Sequence, residues 1–311
     1  MAYEFRIGEV SRKGLRRIAR QQLRKLGELL GDAADAANGH HEARKCVKRL
    51  RAGLALARPS LGNGPWQKLD RQFSKVARAL SGARDTAVLP QLIGRIESEQ
   101  GSAALGRAGQ QLCAELARLP KSTAKFTGLK SMKARLDRLA GKLDSLPLKR
   151  FDAAAALRGL EEDYRGGREA LERAYATSKP EDFHTLRKHV QRHWRHMNLL
   201  AAAWPGEFGA RMELAQALSE ILGEERDYWL LRERLGKAGG PLARWCGTEQ
   251  KRLRTSAYGF LHLLFAERPK ALRERLAAYW AAAEAGAAQP GAGGAPVPPA
   301  KARPSNRQTT S

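Results

Sequence analysis

Apolar residues recur along the chain at intervals of three and four, and runs in which apolar and β-branched residues alternate with polar ones are almost absent. That period belongs to amphipathic helices and predicts an all-α protein. Leu15, Ile18, Ala19, Leu23, Leu26, Leu29 and Leu30 form the apolar stripe of a first helix over about 8–30, with Lys13, Arg17, Arg20 and Arg24 on its far side. A Gly/Asp/Asn-rich loop at 31–39 leads into a second helix that ends near Arg58-Pro59, where Pro59, Gly62, Gly64 and Pro65 interrupt the chain. Helices follow at about 66–80, 85–97 and 103–119, then a weaker helical stretch over 121–146 and a boundary at Pro147. The pattern then restarts, with helices at about 152–176, 181–203, 207–222, 225–235, 241–265 and 268–283. Beyond Glu284 the chain is Ala/Gly/Pro-rich and offers one Val and no Leu or aromatic residue, so 284–311 is expected to be a disordered tail on a domain of 1–283.

The restart is a repeat. HEARKCVKR at 41–49 returns as HTLRKHVQR at 184–192, and LSGARD at 80–85 returns as LGEERD at 222–227. Two separate matches at nearly one offset predict two halves of like fold, about 5–147 and 148–283.

Charge adds a direction. Of the 311 residues, 56 are Lys or Arg and 32 are Asp or Glu, a net charge of +24. Such an excess repels itself within a compact chain and attracts polyanions over long range. Nucleic acid, an anionic membrane surface and a phosphate polymer are the partners it allows. Cys46, Cys113 and Cys246 are odd in number, widely spaced and without a CxxC pair, which argues against a disulfide framework and a zinc site. The N-terminal MAYEFRIGEV has no apolar signal core, and the longest apolar runs, such as 199–204, fall far short of a membrane span. A cytoplasmic protein without membrane insertion is expected.

The repeat places the charge. At 100° per residue His41, Arg44, Lys45 and Lys48 share an arc of about 100°, opposite Ala43, Val47, Leu50, Leu54 and Ala57. In the second copy His184, Arg187, Lys188, Gln191 and Arg195 share an arc, opposite Leu186, Val190, Met197 and Leu200. Charge runs on helices are usually solvated faces. Like charges at i,i+4 repel, however, and no acid interleaves within either ridge. A doubled ridge therefore points to a neutralising partner outside the chain.

On these residues the sequence resembles the CHAD family, the conserved histidine α-helical domain proteins. The likeness extends over about 5–270. It rests on the two HxxRK ridges, the two Arg-Asp turns, the opening Leu15-Arg16-Arg17-Ile18-Ala19, and Asp163-Tyr164-Arg165-Gly166-Gly167-Arg168 at the start of the second half. The resemblance implies two four-helix-bundle-like halves related by a pseudo-two-fold axis around a basic groove or pore that binds inorganic polyphosphate, without catalysis and in some members at polyphosphate granules. Many members carry a fused triphosphatase domain; here the family-like pattern starts almost at the N-terminus, which leaves no room for one. Carried over, His41, Arg44, Lys45, Lys48, Arg49 and Arg51 line the groove from the first half, and His184, Arg187, Lys188, Arg192 and Arg195 from the second. Arg17 and Arg20, then Arg165 and Arg168, flank them. Gln191 and Trp194 stand where the first copy has Lys48 and Arg51, which makes the second ridge less charged. The chain length of the polymer and the oligomeric state are left open.

A polyphosphate offers charge and no bases or sugars to read, so a row of Arg forks and Lys ammoniums suits it. His41 and His184 lie near helix starts, where the helix dipole favours anions. His189 and His193 have metal-like i,i+4 spacing but fall toward the apolar side, so with His196 they read as core residues. Asp85 and Asp227 are expected to open and cap helices. Glu161, Glu162, Asp163, Glu224 and Glu225 are expected on solvated positions. The six Trp read as packing residues. Gly128-Leu-Lys130-Ser131 lacks the upstream glycine of a phosphate-binding loop. No catalytic residue, metal ligand or cofactor site is assigned. Nucleic acid is the second-ranked partner, short of a recognisable binding motif and of interleaved aromatics. A phosphohydrolase ranks below it.

Overall fold

The computed structural model describes residues 3–31, 36–80, 82–101, 105–118 and 129–288, and these hold helices and no strand. In chain order they are α1 (Arg12–Gly31), α2 (Ala36–Leu56), α3 (Arg58–Leu61), α4 (Asn63–Ala79), α5 (Gly82–Gln100), α6 (Gly106–Arg118), α7 (Leu129–Asp144), α8 (Ala153–Thr177), α9 (Pro180–Leu200), α10 (Pro205–Leu235), α11 (Gly240–Leu264) and α12 (Pro269–Ala287). The tail expected to be disordered lies outside the described residues except for its first few positions. Those continue α12 to Ala287, because an Ala-rich run favours helix over coil.

Local chemistry sets several boundaries. Pro180, Pro205 and Pro269 each open a helix, where the missing N–H costs nothing. The Asp152 carboxylate accepts the Ala155 N–H at 2.7 Å and caps α8, which ends at Ser178 in the left-handed conformation. Gly62, at φ +76°, makes the turn between α3 and α4.

One expectation is corrected. Residues 207–222 and 225–235 form a single helix, α10, with no break at Gly223. That glycine is a packing residue: a Cβ there would lie 2.6 Å from a guanidinium nitrogen of Arg187. Asp227 consequently sits inside α10 and does not open a helix. The side chains of Arg84 and Asp85 lie outside the described residues.

Three hydrophobic clusters hold the helices together. The first unites Phe5, α8, α9, the N-terminal half of α10 and the C-terminal ends of α2 and α11, and reaches Leu272 and Trp280 on α12. The second is a bundle of α1, α2, α4 and α7 around Leu26, Leu50, Phe73 and Leu139. The third joins α5 and α6 to the far half of α10 and to α11, through Ile93, Ile96, Leu112, Tyr228 and Leu231. The chain does turn near Pro147, but the first and third clusters both cross that point. Each fully buried Leu, Ile or Phe contributes about 1.5–3 kcal/mol.

Glycines permit the closest approaches. A Cβ on Gly159 of α8 would meet the Leu56 carbonyl oxygen of α2 at 2.3 Å, so the two backbones touch there. Gly166 and Gly167 admit His189 and Phe265 in the same way, with Cβ contacts of 2.8 and 2.5 Å. Gly159→Ala is expected to destabilise by about 1–3 kcal/mol. Gly209→Ala, inside α10 with open space around it, should stabilise by about 0.5–1 kcal/mol. Urea unfolding of the two variants checks both signs.

Candidate anion-binding cleft

The wheel drawn for α2 holds: Ala43, Val47, Leu50, Leu54 and Ala57 are buried, while His41 is exposed and Arg44, Lys45 and Lys48 are half-buried on the other side. On α9, Leu186, Val190, Met197 and Leu200 are buried in turn. The polar faces of the two helices come together. His184 stands close enough to Arg226, Lys188, Arg187 and Lys48 that burial first, and those four cations after it, push its pKa down to about 3. Lys188, though exposed, is lowered by partial desolvation and then by Arg51, Arg226 and Arg192. Lys48 and Arg51 of α2, His184, Arg187 and Lys188 of α9, and Arg226 of α10 thus form one cationic cluster. The Nδ1 of His184 is buried with no hydrogen-bond partner among the described residues.

Arg226 was not among the expected site residues. Its guanidinium lies over the Trp229 ring, 4.8 Å from the centroid, which fixes it beside His184. The Arg-Asp repeat marked the position; the assignment of that turn to capping concealed its use.

Acids absorb part of the charge, contrary to the expectation that none interleaves. Lys45 Nζ pairs with Glu42 Oε1 at 2.7 Å, within the first ridge itself. Arg51 makes a fork onto Asp70 of α4, Nε to Oδ1 at 2.7 Å and a terminal nitrogen to Oδ2 at 2.9 Å. Arg192 pairs with Asp163 of α8 at 2.6 Å, and Nδ1 of His189 lies 3.3 Å from the same carboxylate. Asp163 is therefore no solvated position: its side chain is 7% exposed. Burial alone would raise its pKa, but Arg192 and the two histidines beside it hold the carboxyl well below the usual range. Glu225 is likewise buried, taking two N–H groups of Arg254 at 2.9 and 2.6 Å and one from Gln250 at 3.0 Å, while Glu224 pairs with Arg95.

The other expected residues separate into two groups. Arg49 and Arg195 share the α2–α9 seam with Tyr3, whose hydroxyl donates to the Arg49 carbonyl at 2.6 Å. Arg195 is buried, donates to the Gln191 carbonyl at 2.6 Å, and has its pKa lowered to about 10 by that burial, beside Arg49 and Arg187. Arg187 donates to the Ser219 carbonyl at 3.1 Å, and Gln191 to the Ser219 hydroxyl at 2.9 Å, so both brace α9 on α10. Arg17, Arg20 and Arg168, expected to flank the cluster, are turned to other partners. Arg17 pairs with Glu9, Arg20 with Asp144, and Arg168 donates to the Glu267 carbonyl. Arg165 pairs with Glu161 and lines a cleft of about 220 Å³ at the α2–α8–α9 junction, with Arg58, Trp66, Arg192, His189 and Glu169.

His193 and His196 are core residues as expected. His193 Nε2 accepts from Arg211 Nε at 3.2 Å, and His196 Nε2 lies 3.0 Å from the Ala52 carbonyl. Burial pushes His193 well below its ordinary value and His196 down to about 4. Among the described residues no group of three or more His, Cys, Asp or Glu is placed to hold a metal ion, and no helix is long and apolar enough to cross a membrane.

Asp163→Asn leaves Arg192 without its anion and should cost about 3–5 kcal/mol in urea unfolding. His184, His193 and His196 stay neutral in the fold but take a proton below about pH 6.5 once unfolded. Their contribution is complete above pH 6.5 and is lost as pH falls toward their lowered values. Urea midpoints should therefore drop from pH 7.5 to 4.5, and a level profile would contradict the burial of these rings.

The family model of the CHAD domain matches residues 15–236 of the chain. No curated protein and no solved structure matches it.

Proposed function

The chain belongs to the CHAD domain family, and on that footing we propose that it binds inorganic polyphosphate along the α2–α9 cleft and performs no chemistry on it. The observation that carries this reading is the mutual crowding of Lys48, Arg51, His184, Lys188 and Arg226, which adds to burial in lowering the pKa of His184 and Lys188. Cations held together against their repulsion gain most from a ligand that brings a negative charge at every repeat.

In this reading the cleft is a basic groove between two copies of one helical unit with pseudo-two-fold symmetry. Helix order supports it: α1, α2, α4 and α7 start at 12, 36, 63 and 129, and α8, α9, α10 and α12 start at 153, 180, 205 and 269. The second set trails the first by a nearly constant interval. Binding of this kind suits a cytoplasmic protein that gathers polymer, as at polyphosphate granules.

Calorimetry with long-chain polyphosphate tests the site. The triple variant Lys48→Ala/Lys188→Ala/Arg226→Ala removes one cluster cation from each of α2, α9 and α10. Its binding should weaken, and the slope of log K against log salt should become shallower by about 2. Unchanged binding in the folded variant would remove the cleft from the function. Displacement of polyphosphate by nucleic acid at equal phosphate concentration would make nucleic acid the ligand. Release of phosphate by the purified protein would overturn the non-catalytic reading.

A further inference from the structure

Outside the cleft, α4 carries Lys68, Arg71, Lys75 and Arg78 in one row. The spacing i, i+3, i+7, i+10 keeps them on a single face over about 15 Å. All four are exposed, and none has an ion pair or side-chain hydrogen bond among the described residues. Leu69, Phe73 and Val76 bury the opposite side in the second cluster, so the row cannot turn inward. Most other basic helix faces among the described residues are at least partly paired, as Arg20 with Asp144, Arg95 with Glu224 and Arg165 with Glu161 show.

The row lies beside the cleft. Asp70 precedes Arg71 and is held by the fork of Arg51, which in turn acts on Lys188. Asp70 is thereby neutralised where a polymer leaving the cleft would pass it.

The corresponding face in the other half is different. Shifting by the 142 residues that separate the starts of α4 and α10 lands on Ala210, Glu213, Ala217 and Glu220 of α10, and all four are exposed. The core register agrees at this shift, since Phe73, Val76 and Leu80 correspond to the buried Ala215, Leu218 and Leu222. The same exposed stripe is thus four cations on one side and two carboxylates with two alanines on the other.

We propose that α4 is a one-sided exit track: a polyphosphate longer than the cleft leaves it past Arg51–Asp70 and runs along Lys68, Arg71, Lys75 and Arg78, while Glu213 and Glu220 turn it away from α10. This rests on the polyphosphate reading of the cleft and adds to it a direction and a dependence on chain length. Short polymers engage the cleft alone, and longer ones add the row.

The test compares Lys68→Ala/Arg71→Ala/Lys75→Ala/Arg78→Ala with a charge-matched control, Lys149→Ala/Arg150→Ala/Lys237→Ala/Lys251→Ala, which removes four exposed cations elsewhere. For long-chain polyphosphate the α4 variant should lose affinity, and its log K against log salt should become shallower by roughly 3. The control should change much less. With tripolyphosphate, too short to occupy cleft and row together, the two variants should match. Equal losses in the α4 variant and the control would mean a general field and overturn the track, as would an equal loss for both ligands. If the cleft variant Lys48→Ala/Lys188→Ala/Arg226→Ala keeps long-chain binding, the cleft reading itself fails and the track with it. If that variant loses binding while the α4 variant matches its control, only the track is overturned.

Discussion

Where α2 passes over α8, the Leu56 carbonyl and the Cα of Gly159 meet with no side chain between them, and this backbone contact sets how closely α2 lies over α8. A side chain at 159 would lift α2 away from α8. Since α8 and α9 share one core, Lys48 and Arg51 would then recede from His184 and Lys188. Gly223 does the same on the other side, bringing α10 down onto the Arg187 guanidinium and Arg226 up to His184. The cation cluster is thus a consequence of helix separation, and helix separation is governed by residues that carry no charge.

Holding these charges together opposes folding, and the fold answers by dividing the arginines. Some are given a carboxylate: Arg192 has Asp163, Arg51 has Asp70 and Arg254 has the buried Glu225. Some are set against aromatic faces, as Arg226 is on Trp229 and Arg49 on Tyr3. Around His184 the cations Lys48, Arg187, Lys188 and Arg226 crowd one another, so part of the repulsion is localised there.

Much of this was legible in the sequence. Helix content and the buried stripes of α2 and α9 follow from a 3.6-residue period, and the doubled basic ridge from an internal repeat, both of which are local signals. The misses have a common cause. Asp163, Asp70 and Glu225 act on partners 19 to 29 residues away, on other helices. No spacing rule reveals such pairing, and an acid on a charged helix therefore reads as solvated. Gly223 looked like a break because glycine ends helices more often than it seats an arginine. Arg226 was visible as a repeated residue, but its use depends on where α10 lies against α9. The flanking arginines show the same dependence on other elements: Arg17 and Arg20 share the helical face that pattern predicts, and Glu9 and Asp144 pair with them.

The third hydrophobic cluster has a consequence for synthesis of the chain. Its near wall, α5 and α6, is complete by residue 118, while its far wall begins with Tyr228 and ends with Leu253. A ribosome adding about 5–20 residues per second leaves Ile93, Ile96 and Leu112 without their partners for on the order of ten seconds. During that interval the emerging first half carries an open apolar seam under a large positive charge, near a particle made of RNA. The fold is therefore closed from its C-terminal side, and the first half becomes whole only when the last helices arrive.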